Sequence, residues 1–210
     1  MSRVEFSLYL ITDRHQTAGR PLLPLLERAL SAGVKAVQLR EKDLDTRSLA
    51  GLAGELLALT RKHDGLLFIN DRVDLVLALG ADGVHLRSDS MPIRAARRVL
   101  GPHCLIGRSV HNGAEVLKAE ADGADFAVLG PVYDTPSKRA YGDPIGLRPL
   151  EEASQQSHIP VFAIGGLSLS RVQEVRRAGA CGVAIISAIL EAADVETATC
   201  LLLNALQTSD

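Results

Sequence analysis

The sequence contains no tryptophan, and aromatic residues make up only 3 % of its 210 positions. A surface that stacks the bases of single-stranded nucleic acid needs more rings than that. Positive charge is not in excess either: the net charge is -2 and no basic run stands out. Nucleic acid and anionic membranes are therefore not expected partners. Cysteine is sparse. Cys104, Cys181 and Cys200 are odd in number and lack metal-ligand spacing, which argues against a disulfide framework and for a reduced, cytoplasmic chain. The opening stretch MSRVEFSLYLITD lacks a basic segment followed by a long apolar core, so no signal peptide is expected. No apolar run is long enough to cross a bilayer.

What is present is aliphatic. Hydrophobic residues are 47 % of the chain, enough for a sizeable core, and with so few rings that core is expected to be Leu, Val, Ile and Ala. Short runs recur: LYLIT (8–12), AVQL (36–39), LLFI (66–69), GVHL (83–86), CLIG (104–107), FAVLG (126–130), PVFAIG (160–165) and GVAIIS (182–187). Each is too short for a helix and ends in polar residues or Gly, as strands buried on both faces do. Between them lie segments of helical spacing. In 22–33, Leu22, Leu25, Leu26, Ala29 and Leu30 share one stripe, and Gly33 suits a left-handed C-cap. The segment 47–65 repeats the pattern, with Thr46 as its expected N-cap. Further helices are expected over 71–79, 92–100, 112–122, 147–155, 168–178 and 189–206. Strand and helix alternating eight times in about 200 residues predict one α/β domain over 1–210, a (β/α)8 TIM barrel. An open doubly wound sheet would show a glycine fingerprint after its first strand, and TDRHQTAGR has none.

Barrels of this kind carry their sites at the C-terminal ends of the strands. Gln38, Arg40 and Lys42 alternate out of the second strand, so period-two geometry puts them on one face. Arg40 suits a bidentate grip on phosphate and Lys42 a point charge. The alternative is a solvated strand exit whose cations pair with Glu41 or Asp43. Gly165 and Gly166 follow the seventh strand, where barrels often bind phosphate; a turn that simply needs positive φ is the competing reading. Asp71, after Asn70, is either a helix cap or a Mg²⁺ carboxylate, with Asp89 the candidate second ligand. His85 and His111 stand at neighbouring strand exits, as general acid or base or as hydrogen-bonded bystanders.

QLREK (38–42), INDRVDL (69–75), ADGVHL (81–86), GRSVH (107–111), GPVYDTPSK (130–138), AIGGL (163–167) and GVAIISAI (182–189) occur in order. This series resembles the thiamine-phosphate synthase superfamily, which also contains the thiazole tautomerases. The resemblance implies a (β/α)8 barrel that joins hydroxymethylpyrimidine diphosphate to thiazole phosphate. It implies that Gln38 contacts the pyrimidine, while Arg40, Lys42, Asn70, Ser109 and Lys138 hold the diphosphate. Asp71 would hold Mg²⁺, and Thr135, Ser137, Gly165, Gly166, Ile186 and Ser187 would bind the thiazole phosphate. The long loop after the sixth strand then looks like a phosphate clamp at Thr135, Ser137 and Lys138, followed by a lid through Gly142 and Gly146. The family's HLGQxD is HLRSDS here: Arg87 replaces the Gly, Ser90 stands at the second metal-ligating Asp, and Asp89 comes one place early.

That departure keeps two alternatives alongside the synthase. A tautomerase would act on thiazole carboxylate phosphate with no metal, His111 as its acid or base, and Arg87 or Arg108 as an anion contact. A non-catalytic barrel would only bind thiazole or thiamine phosphate. The expected partners are small phosphorylated pyrimidines and thiazoles, and a homodimer is one assembly the sequence allows.

Overall fold

The computed structural model describes residues 4–135 and 143–207. Eight parallel strands close into a barrel in chain order: β1 (Leu8–Ile11), β2 (Ala36–Leu39), β3 (Leu66–Asn70), β4 (Gly83–Leu86), β5 (Leu105–Val110), β6 (Phe126–Leu129), β7 (Val161–Ile164) and β8 (Gly182–Ile185). Helices α1 (Leu22–Ser31), α2 (Thr46–Lys62), α3 (Val73–Leu79), α4 (Ile93–Leu100), α5 (Gly113–Ala121), α6 (Leu147–Gln156), α7 (Val172–Arg177), α8 (Ser187–Leu190) and α9 (Val195–Gln207) connect and surround them. The (β/α)8 architecture is the one expected. Among the described residues no helix is long and apolar enough to cross a membrane.

The helix stripes do the outer packing. The five residues expected to share a face of α1 are all buried, and Gly33 takes φ +111 just past its end. Three local expectations need correction. Asp45, not Thr46, caps α2: its carboxylate accepts the Arg47 and Ser48 amides at 2.9 and 3.0 Å. Asp71 caps nothing, because α3 starts at Val73 and Asp71 itself sits at φ +59. The helix expected over 189–206 is two helices, α8 and α9. Asp194 breaks the run by accepting the Glu196 and Thr197 amides and the Thr197 hydroxyl, which gives the backbone a competing local bond and starts a new helix.

The core also differs from the aliphatic expectation in one layer. Between barrel and helices it is Leu, Val, Ile and Ala. Inside the barrel, however, the chain places all four of its phenylalanines, Phe6, Phe68, Phe126 and Phe162, with Tyr9. Their ring centroids lie 5.2 to 6.4 Å apart, several of them edge to face, the arrangement that ring quadrupoles favour. Strand register makes the room: Phe68 faces Gly83, Phe126 faces Gly107 and Phe162 faces Gly182. A Cβ at Gly107 would lie 2.4 Å from the Phe126 ring. This plug fills the barrel and forms the floor beneath its C-terminal mouth.

Candidate active site

A cavity of about 640 Å³ opens above this floor. Its walls bring together residues from segments far apart in sequence. Gln38, Arg40 and Lys42 line it from β2 and the turn beyond, so their alternation survives past the end of the strand. Asn70, Ser109 and His111 enter from β3, β5 and the turn after β5. Thr135, Gly165, Gly166, Ile186 and Ser187 complete the opposite wall. Ser137, Lys138 and Gly142 lie outside the described residues. A larger depression of about 960 Å³ lies at the other end of the barrel, among Glu5, Lys35, Asp64 and Asp82. It is broad and open, and the (β/α)8 rule puts chemistry at the opposite face.

The charged strand exit resolves into two groups. Glu41 and Asp43 are engaged by Arg14, which donates to Asp43 at 2.8 and 2.5 Å and to Glu41 at 3.4 Å. His15 Nε2 adds a contact to Asp43 at 3.0 Å. The acids adjacent in sequence to Arg40 and Lys42 thus face Arg14, and the two cations face the cavity. Thr12 holds the exit by accepting the Arg40 amide at 2.9 Å.

A buried polar chain joins floor to wall. Gln38 Nε2 donates to the Tyr9 hydroxyl at 3.2 Å. That hydroxyl lies 3.4 Å from His85 Nδ1, and His85 Nε2 lies 2.9 Å from Ser109 Oγ. With Gln38 as donor, the Tyr9 proton points to Nδ1, so Nε2 carries the imidazole proton and Ser109 accepts it. The Ser109 proton is then directed away from His85. Burial pushes the His85 pKa down to about 3, with Arg40 and Arg108 acting in the same sense and Asp71 opposing. His85 is therefore neutral at working pH, and the acid/base role considered for it gives way to a positioning one. Burial also holds the Tyr9 phenol well above its ordinary value.

Asp71, expected from the sequence either as a helix cap or as a Mg²⁺ carboxylate, is half-buried. Its Oδ1 accepts the Arg87 amide at 3.0 Å, and Oδ2 accepts the Arg87 side chain. Burial raises its pKa, but Arg87 and the Ser90 hydroxyl outweigh this and hold the carboxyl below its usual range. Arg87 Nη2 also lies 3.6 Å from Asp89 Oδ1, so one guanidinium sits between the two candidate carboxylates. Arg108 braces this turn by donating to the Ser88 and Met91 carbonyls at 2.9 and 3.3 Å. Among the described residues no three His, Cys, Asp or Glu side chains gather as a metal cage. Asp71 still suits a Mg²⁺ that keeps most of its shell as water and substrate oxygens, since such sites use one or two carboxylates. His111 stays at the rim, its ring 3.3 Å from Glu115.

The Gly165–Gly166 turn is shaped by its neighbours. The two residues have φ +99 and +60, and added Cβ atoms would lie 2.5 Å from Pro131 and 2.6 Å from the Asp134 carbonyl. Both carbonyls point away to donors: Gly165 accepts the Tyr133 amide at 3.2 Å and Gly166 accepts Arg171 Nη1 at 2.5 Å. Arg171 also stacks 4.3 Å over the Tyr133 ring, whose hydroxyl donates to Glu174 at 2.6 Å. Tyr9, Arg14, Tyr133 and Arg171 were not singled out from sequence; none sits in a quoted spacing that signals its partner.

The chain is similar to known proteins over nearly its whole length. The family model described as thiamine monophosphate synthase matches residues 8–189. A relative from Geobacter sulfurreducens is 54 % identical over 190 residues, 90 % of this chain and 89 % of its own. The thiamine-phosphate synthase of Clostridium novyi is 42 % identical over 201 residues, covering 96 % of this chain and 98 % of its own. The solved thiamine phosphate pyrophosphorylase from Pyrococcus furiosus superposes with a TM-score of 0.87 at 39 % identity, covering 96 % of this chain and 95 % of that one. With a barrel mouth of this design and relatives at this identity over nearly its full length, the chain belongs to the thiamine monophosphate synthase family.

Proposed function

We propose that the chain is a thiamine-phosphate synthase, which joins hydroxymethylpyrimidine diphosphate to thiazole phosphate and releases pyrophosphate. One observation carries the reading. A cation-lined wall (Arg40, Lys42, Asn70, Ser109) faces a glycine-turn wall (Thr135, Gly165, Gly166) across one cavity. That is a place for two anionic substrates side by side. Gln38, at the floor, recognises the pyrimidine edge. Arg40, Lys42, Asn70 and Ser109 take the diphosphate, with Lys138 joining them. Thr135, Ser137, the Gly165–Gly166 turn, Ile186 and Ser187 take the thiazole phosphate.

The reaction breaks the C–O bond to diphosphate, and the bonding pair leaves with pyrophosphate. The thiazole nitrogen lone pair then forms the C–N bond. No proton has to move, so the pocket's work is to neutralise the leaving charge and align the partners. Mg²⁺, bound by Asp71 with Asp89 nearby, would supply further positive charge against the diphosphate. Arg40 grips two oxygens at once, and the neutral His85 keeps the Ser109 hydroxyl aimed as a donor. Thiazole tautomerisation, in contrast, would need His111 to shuttle a proton. Small soluble phosphates as substrates fit a cytoplasmic enzyme.

The test is incubation of the purified chain with both substrates and Mg²⁺. Thiamine phosphate and pyrophosphate should form in equal amounts. No pyrophosphate, together with metal-free turnover of thiazole carboxylate phosphate, would replace this reading by the tautomerase.

A further inference from the structure

Asp71 already has a cation. Arg87 satisfies both of its oxygens, one through the backbone amide at 3.0 Å and the other through the side chain. The contact is built into the turn. Ser90 donates its amide to the Arg87 carbonyl at 3.0 Å, its hydroxyl bonds Asp71, and Arg108 ties the same turn down at Ser88 and Met91. Yet the guanidinium is not sealed in: the Arg87 side chain is 44 % exposed, while Asp71 is 20 % exposed. The carboxylate is fixed and its partner has room to leave.

We propose that Arg87 is the resident counter-ion of Asp71, and that a divalent cation reaches this carboxylate only by displacing the guanidinium. The proposal rests on the reading of Asp71 as the metal-binding carboxylate. A hard, partly hydrated cation and the guanidinium compete for Oδ2, since Oδ1 is held by the Arg87 backbone amide and two cations repel each other at one carboxylate oxygen. Metal binding to the substrate-free protein is therefore weak. A diphosphate in the cavity offers the guanidinium a better acceptor, because planar donors match phosphate oxygens. Arg87 then moves from Asp71 to the substrate as the metal takes its place. By linkage, the metal and the diphosphate each strengthen the other's binding.

The experiment is direct titration of the substrate-free protein with Mn²⁺ alone, followed by electron paramagnetic resonance, with Mg²⁺ as competitor. Arg87→Gln is expected to bind Mn²⁺ about fivefold more tightly than the parent, the upper end of what a partly exposed ion pair contributes. Arg87→Lys, which keeps the charge but loses the fork, falls between. Asp71→Asn abolishes binding in either background. If Asp71→Asn abolishes binding but Arg87→Gln leaves it unchanged or weaker, the counter-ion proposal is overturned while Asp71 stands as a ligand. If Mn²⁺ binds equally well without the Asp71 carboxylate, the metal assignment itself is wrong, and the proposal goes with it. If neither parent nor Arg87→Gln binds Mn²⁺, no latent site exists and the proposal is likewise overturned. Circular dichroism of each variant checks that the barrel is intact.

Discussion

The floor of the barrel and its mouth are made by the same strands and obey opposite rules. Phe68, Gly83 and Gly107 lie in the floor; Asn70, His85 and Ser109, two places further along the same strands, reach the mouth. The floor is rings fitted into spaces left by glycine, with the Tyr9 hydroxyl reaching Gln38 and His85. The mouth is long charged side chains and a glycine turn. Because successive inward positions in a strand are spaced by two residues, the height and tilt of each mouth residue are set by the packing directly below it. Scaffold and chemistry are thus separable by substitution, although they share a backbone.

That separation can be broken in four ways, from the largest effect down. Arg40→Ala should lower kcat/KM for the diphosphate substrate by about 10²–10³-fold, the usual loss for one donor aimed at developing charge, with the melting temperature nearly unchanged. A large thermal loss would mean that Arg40 belongs to the scaffold. Gly107→Ala pushes a methyl to within 2.4 Å of the Phe126 ring. Overpacking of this kind costs about 1–3 kcal/mol, so a melt should fall by about 5 °C at this chain size. An unaltered melting temperature would show the floor to be softer than it looks.

The third test reads pH. His85 is held neutral, because burial pushes its pKa in the folded chain down from the ordinary 6.5 to about 3. The unfolded chain therefore binds a proton that the folded chain refuses. Stability is fully present above pH 6.5 and declines as pH falls toward 3, by up to about 1.4 kcal/mol per pH unit. Urea unfolding at pH 7 and pH 5 should show this slope in the parent and a flatter one in His85→Gln; equal slopes would refute it. The smallest effect is expected at Gly166→Ala. At φ +60 and 2.6 Å from the Asp134 carbonyl, the added methyl should shift the turn and raise KM for thiazole phosphate about tenfold. Steady-state kinetics with both substrates varied checks that the diphosphate KM stays put.

The mouth was more legible in the sequence than the floor, for a physical reason. Gln38, Arg40 and Lys42 announce a shared face because their spacing is local, and adjacent glycines after an apolar run announce a tight turn. The floor depends on register. Nothing local says that Phe126 will face Gly107, because that pairing exists only once neighbouring strands align. The same limit hid the Arg87–Asp71 and Arg14–Asp43 pairs, whose members come from different loops. Helix ends were misjudged where two capping residues stand together, as Asp45 and Thr46 do. The run into α9 looked continuous because its apolar periodicity passes through Asp194 without a gap.

Arg14 has one more consequence. By drawing Glu41 and Asp43 to itself, it turns their negative charge away from the entrance. A molecule whose total charge is slightly negative can then present a positive field to whatever approaches the opening. Capture of anionic substrates should weaken as ionic strength rises, in a way that bulk isoelectric behaviour would never suggest.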